Sequence, residues 1–152
     1  MRILLVCLGN ICRSPLAEGI LRHKVTQRNL DWQIESAGTG DWHVGQPPDP
    51  RSVAIALQNG IDISNQRGQH FQQVDFERFD KIIVMDNSNR RDVLRLAKTD
   101  TDRAKVERML DYSHPGQDRS VPDPYYGGQD GFEAVFSLLD TACDSFLDRL
   151  QS

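Results

Sequence analysis

Near its start the chain reads Ile3-Leu4-Leu5-Val6-Cys7-Leu8-Gly9-Asn10-Ile11-Cys12-Arg13-Ser14-Pro15-Leu16-Ala17-Glu18. Ile3 to Val6 is a short unbroken apolar run, the pattern of a strand buried on both faces. Leu8 to Arg13 is turn-like, and Gly9 and Asn10 are residue types that tolerate a left-handed backbone. Ser14-Pro15 with an acid soon after reads as a helix start, Ser at the cap and Pro in the first turn. Leu16, Ala17, Ile20, Leu21 and Val25 keep an apolar stripe at helical spacing, ending near Asn29.

The same alternation continues outward. Trp32 to Ser36 suits a second strand. Pro50 to Asn59 reads as a helix with Val53, Ala54 and Leu57 inward, stopped by Gly60. Lys81 to Met85 is a second buried strand, Asn87 to Leu96 a helix, and Lys105 to Leu110 a weaker strand. A loop rich in Pro, Gly and Asp spans Ser113 to Asp130. The last helix runs on Phe132, Val135, Phe136, Leu139, Ala142, Cys143, Phe146, Leu147 and Leu150. Strands alternating with helices predict an α/β domain built on a parallel sheet with helices on both faces. Ligands of such sheets bind at the carboxyl ends of strands, near a switch in strand order; Cys7 to Arg13 sits at such an end, as does the loop after Met85.

With 152 residues, 38% hydrophobic and 26% charged, the chain matches a single domain able to bury a core. A net charge of −4 without a basic block argues against a general nucleic-acid or membrane-surface binder. No run approaches the ~20 apolar residues of a membrane helix, and no secretory signal is visible. Three cysteines (Cys7, Cys12, Cys143) do not make a disulfide framework. Free thiols in a reducing, cytoplasmic setting are expected. His23, His43, His70 and His114 show no ligand spacing, so neither metal nor other cofactor is expected.

The chemistry concentrates in Cys7 to Ser14. A helix N-terminus offers unpaired N–H groups and a partial positive charge, which suits a phosphate group. Successive N–H groups turned inward make an anion nest. The Arg13 fork can hold two phosphate oxygens at once. The thiolate is the nucleophilic form of cysteine, and a helix N-terminus beside an Arg favours it. Cys7 is therefore the candidate nucleophile and Arg13 the clamp, with no histidine needed nearby. Ser14 can donate a hydrogen bond to the Cys7 sulfur. The bare Cys-to-Arg spacing is a weak signal; its place between a strand and a helix start gives it weight.

Val6 to Glu18 closely resembles the phosphate loop of the low-molecular-weight protein tyrosine phosphatase family. The resemblance continues at Ser36-Ala37-Gly38-Thr39, Trp42-His43-Val44-Gly45, Met85-Asp86-Asn87-Ser88-Asn89 and Asp123-Pro124-Tyr125-Tyr126, in the family's order along the whole chain. It implies a four-stranded parallel sheet with helices on both sides, and hydrolysis of phosphotyrosine through a phosphocysteine. It implies Cys7 as nucleophile, Arg13 as clamp and Asp123 as general acid. Leu8, Gly9, Asn10, Ile11, Cys12 and Ser14 form the rest of the loop, with Asn10 and Ser14 organising it. Trp42, Tyr125 and Tyr126 resemble the aromatic walls that receive the phenyl ring. Asn65-Gln66-Arg67-Gly68-Gln69 departs from the family, which usually carries a His and a pair of Arg there.

On its own residues, Asp123 reads equally as an acid held extended between Pro122 and Pro124 or as a surface Asp in a turn. Trp42, Tyr125 and Tyr126 lie outside apolar stripes, and aromatic walls would select a flat phenyl phosphate. Cys12 reads as a small buried residue or as a thiol that traps oxidised Cys7; Cys143 reads as core. Three alternatives compete. A thioredoxin-coupled arsenate reductase needs two further mid-chain cysteines, and Arg67 to Leu96 has none. Protein-arginine phosphatases of the family usually carry Thr where Ile11 stands. A non-catalytic phosphate-binding module needs neither nucleophile nor acid. The expected partners are a phosphotyrosine protein or aryl phosphate and product phosphate, with no nucleic acid or membrane, and a monomer as the default.

Overall fold

The computed structural model describes residues 1–151. Four strands, β1 (Arg2–Cys7), β2 (Gln33–Gly38), β3 (Lys81–Val84) and β4 (Val106–Arg108), form one sheet in the order β2-β1-β3-β4. Every neighbouring pair is parallel. The chain leaves β1 for β2 on one side and later returns to β3 on the other. The order therefore reverses at β1, and the crevice beyond its carboxyl end is the ligand position this topology creates.

Side chains of β1 alternate between the two faces. Ile3, Leu5 and Cys7 join Ile34, Ile83 and Met85 under helices α1 (Arg13–Gln27), α2 (Pro50–Gln58) and the last helix. Leu4 and Val6 join Ile82, Val84, Val106, Phe71, Phe76 and Phe79 on the opposite face. Burial on both faces is why the strand read as an unbroken apolar run. α3 (Asp75–Arg78) and α4 (Asn87–Leu94) cover that second face. α5 (Asp100–Ala104) and α6 (Leu110–Ser113) flank β4, and α7 (Gln129–Gln151) runs along α1.

The four-stranded parallel sheet expected from the resemblance is present. Boundaries moved in places. The weak strand expected over Lys105 to Leu110 shortens to Val106–Arg108, because Leu110 turns inward to open α6. The short helices α3 and α5 had no periodic signal, being only four and five residues long. One expectation fails at the first helix. Cys12, not Ser14, is the residue before α1, and no side chain caps it. Ser14 is the second residue of the helix, where its hydroxyl lies against the Cys7 sulfur instead.

Candidate active site

Cys7 is the last residue of β1, and Arg13 is the first of α1. The five residues between them must turn within a few ångströms. Asn10 supplies the turn with φ 57°, a left-handed conformation that Asn tolerates. Four carbonyls of this stretch are taken up by other groups. Cys7 O accepts from Thr39 N at 2.9 Å, Leu8 O from Gly40 N at 2.9 Å and Ile11 O from Asp49 N at 2.8 Å. Cys12 O accepts from Leu16 N and from the Ser52 hydroxyl. With these four carbonyls engaged, the N–H groups of Gly9, Ile11 and Cys12 have no partner among the described residues. This is the arrangement of an anion nest over a helix N-terminus.

Proton directions behind the loop can be deduced. The Gln69 backbone N–H, necessarily a donor, binds Asn10 Oδ1 at 2.9 Å. Asn10 Nδ2 therefore points the other way, donating to Ser14 Oγ at 2.8 Å and Ser36 Oγ at 2.9 Å. Each serine, having accepted there, has its own hydrogen to give. Ser36 donates to Glu18 Oε1 at 2.8 Å. Ser14 Oγ lies 3.0 Å from Cys7 Sγ, placed to give its hydrogen to the sulfur, with Ala37 O at 3.4 Å the other acceptor in its reach. Asn10 N–H reaches the same sulfur at 3.3 Å. Asn10 and Ser14 are thus buried behind the sulfur and do not line the cavity in front of it. Burial pushes the Glu18 carboxyl up, against the Ser36 hydrogen bond and the Arg22 charge.

Arg13 is only 3% exposed. Its Nη1 donates to Asp86 Oδ2 at 2.7 Å and to Val121 O at 2.9 Å. These bonds aim the guanidinium, and Nη2 comes within 3.8 Å of Asp123 Oδ2. Asp123 is 41% exposed, and its other oxygen accepts from Tyr125 N–H at 3.1 Å. Asp86 also caps α4, accepting from Asn89 N–H at 2.7 Å, so one carboxylate starts a helix and aims Arg13.

Leu8, Gly9, Ile11, Cys12, Trp42, Tyr125 and Tyr126 join Cys7, Arg13 and Asp123 around one cavity of about 320 Å³. Trp42 and Tyr126 are mostly exposed and form its rim; the tyrosine rings meet edge to face at 4.9 Å. The Cys12 thiol, pushed up to about 12 chiefly by burial, stays protonated. Cys143 is wholly buried in the α7 core.

Three participants were missed as site residues. Asp86 and His43 stood inside quoted motifs without a role. His43 lines the cavity, its Nδ1 2.8 Å from Gln46 Oε1, so a histidine does stand beside this loop. The third is Gln69, which orients Asn10 through its backbone; no side-chain signal could reveal that contact. The loosely matching segment 65–69 is where it lies.

A strand-loop-helix with a buried cysteine, an inward arginine and an acid across a cleft defines a cysteine-centred site for a tetrahedral oxyanion. Residues 2–152 match the model of the low molecular weight phosphotyrosine protein phosphatase family. The chain belongs to that family of phosphatase enzymes. It is 43% identical to the low molecular weight phosphotyrosine protein phosphatase of Schizosaccharomyces pombe, over 99% of this chain and 97% of that one. The crystal structure of a protein tyrosine phosphatase from Entamoeba histolytica superposes with a TM-score of 0.93 at 35% identity, covering 99% of this chain and 97% of the other. The Drosophila arginine phosphatase superposes equally well, with a TM-score of 0.93 at 37% identity, covering 100% and 99%.

Proposed function

We propose that the protein hydrolyses aryl phosphate monoesters, phosphotyrosine above all, with Cys7, Arg13 and Asp123 as its catalytic residues. The observation that carries the reading is the convergence of these three side chains, from β1, α1 and the 121–128 segment, on one cavity. The Cys7 thiolate attacks phosphorus, forming an S–P bond as the ester P–O bond breaks. Asp123 gives its proton to the departing phenoxide, a contribution of roughly 10²–10⁴-fold. The Asp123 carboxylate then takes a proton from water, which attacks phosphorus. The S–P bond breaks, the electron pair returns to sulfur and inorganic phosphate leaves. Arg13 and the loop N–H groups hold the equatorial oxygens throughout.

Ile11 in the cavity lining, with Trp42, Tyr125 and Tyr126 around the mouth, suits a flat phenyl ring over the polar, charged guanidinium of phosphoarginine. The Drosophila neighbour makes phosphoarginine the competitor to test. The buried free thiols suit a reducing compartment such as the cytoplasm. No helix among the described residues is long and apolar enough to cross a membrane.

Hydrolysis of p-nitrophenyl phosphate in EDTA is expected for the wild type. It is expected to vanish in Cys7→Ser and to fall at least tenfold in Asp123→Asn. Full activity of Cys7→Ser would remove the nucleophile assignment. Tyrosine-phosphorylated peptides are expected to turn over faster than phosphoserine or phosphoarginine peptides; comparable rates would sink the aryl preference.

A further inference from the structure

Residues 122–128 carry the general acid and two aromatic walls; Pro124 is buried and Gly128 O accepts from Gly131 N–H of α7, but few hydrogen bonds tie the stretch from Asp123 to Gly127 to the rest of the molecule. Tyr125 N–H turns back to Asp123, and Gly127 N–H turns back to Pro124. Asp123 approaches Arg13 only at 3.8 Å. Among the described residues, one side chain reaches this segment with hydrogen bonds from another element. Arg51, in the first turn of α2, donates Nη2 to Tyr125 O at 2.9 Å and Nη1 to Gly127 O at 3.3 Å.

The same guanidinium is held from behind. Its Nε and Nη2 grip the Asp49 carboxylate at 3.0 and 2.9 Å, and Asp49 caps α2 through the Arg51 N–H. The Arg51 hydrogen bond holds the Asp49 carboxyl below its usual range. The planar group stacks over Phe132 at 4.6 Å and Tyr125 at 5.5 Å. Asp49 N–H binds Ile11 O and the Ser52 hydroxyl binds Cys12 O, so this turn of α2 also grips the phosphate loop.

We propose that Arg51 is a positioning residue: a strut, anchored on Asp49, that sets the distance between the acid loop and the nucleophile loop. This rests on the reading of Asp123 as general acid. A misplaced acid hurts most where the leaving group most needs a proton. Arg51→Ala is therefore expected to behave as a partial loss of Asp123, although Arg51 touches neither phosphorus nor the leaving oxygen. Arg51→Lys is expected to do the same, because one ammonium cannot span two carbonyls and a carboxylate in plane.

The test measures kcat/KM for aryl phosphates from p-nitrophenyl to phenyl phosphate, for wild type, Arg51→Ala, Arg51→Lys, Asp123→Asn and Arg51→Ala/Asp123→Asn. The wild type is expected to depend weakly on leaving-group basicity. Both Arg51 variants are expected to depend steeply, losing about tenfold or more on phenyl phosphate and about threefold or less on p-nitrophenyl phosphate. In the Asp123→Asn background, Arg51→Ala is expected to leave the slope unchanged. A uniform loss across substrates in both Arg51 variants, or a wild-type slope in Arg51→Lys, overturns the strut. A shallow slope in Asp123→Asn overturns the general-acid reading itself, and that failure is separately visible.

Discussion

Gly38 ends β2 directly behind the loop between Cys7 and Arg13. A Cβ there would stand 2.8 Å from Leu8 O and 3.1 Å from Asn10 N, both backbone atoms that cannot swing aside. The absence of a side chain lets β2 lie this close to the turn that Asn10 makes at φ 57°. Gly38→Ala must push the loop forward, and a 1 Å displacement in such a site can cost about 10²-fold in rate. The expected outcome is a folded protein with normal far-UV dichroism and at least a tenfold loss of kcat/KM on p-nitrophenyl phosphate. Unchanged turnover would show that the loop does not depend on this close approach. Asn10, Gly9 and Arg13 were legible as loop residues because their types carry backbone and charge information. Gly38 was legible only as part of a family motif, since the atoms it would strike lie about thirty positions earlier.

At the scale of elements, α4 shows how a helix start becomes part of a site. Asp86 caps it with one oxygen and holds Arg13 with the other. Removing the carboxylate costs about 1 kcal/mol for a lost cap. It also leaves a guanidinium that is 3% exposed with one partner fewer, and breaking a buried pair typically costs about 3–5 kcal/mol. Asp86 itself is 23% exposed, which places the expected loss toward the lower end of that range. Asp86→Ala is expected to lower the unfolding free energy by roughly 3–4 kcal/mol. It is also expected to weaken competitive inhibition by inorganic phosphate; an unaltered inhibition constant would mean that Arg13 keeps its aim without Asp86. The helix start at Asp86 could be read from its cap chemistry. The pairing with Arg13 could not, because it joins residues 73 positions apart.

For the molecule as a whole, the buried Glu18 couples the core under α1 to pH. Its carboxyl is raised above 4.5, chiefly by burial. The neutral form is thus favoured on folding, and the stability this contributes is full below the unfolded value. It is lost as pH rises through the raised folded value. Asp49 has the opposite sign. The Arg51 hydrogen bond lowers it below 3.8, so its contribution is present above that value and lost as pH falls through the folded one. Glu18→Gln is expected to gain on the wild type in unfolding free energy as pH rises from about 4 through 7. A stability difference that stays flat over this interval would show that Glu18 is not strained by burial.

What the sequence determined by itself was the local and periodic part. Apolar runs marked the buried strands, and 3.6-residue spacing marked α1 and α7; at α2 the helix was legible but its inward face was not, since Leu57 and Ala54 are exposed while Ser52, Ile55 and Ala56 are buried. The order of Gly, Asn, Cys and Arg marked the phosphate loop. These depend on neighbours within one turn or one strand, so a single chain reading suffices. The tertiary structure decided what depends on long separations. Ser14 left its expected cap because a sulfur seven residues earlier competes for its hydroxyl. Asn10 was oriented by the backbone of Gln69, and Arg13 by Asp86 and Val121. The backbone of Tyr125 and Gly127 was met by Arg51 of α2. Such contacts form only when sheet order brings distant loops to one edge, and their geometry is set by packing rather than by the residues next in line.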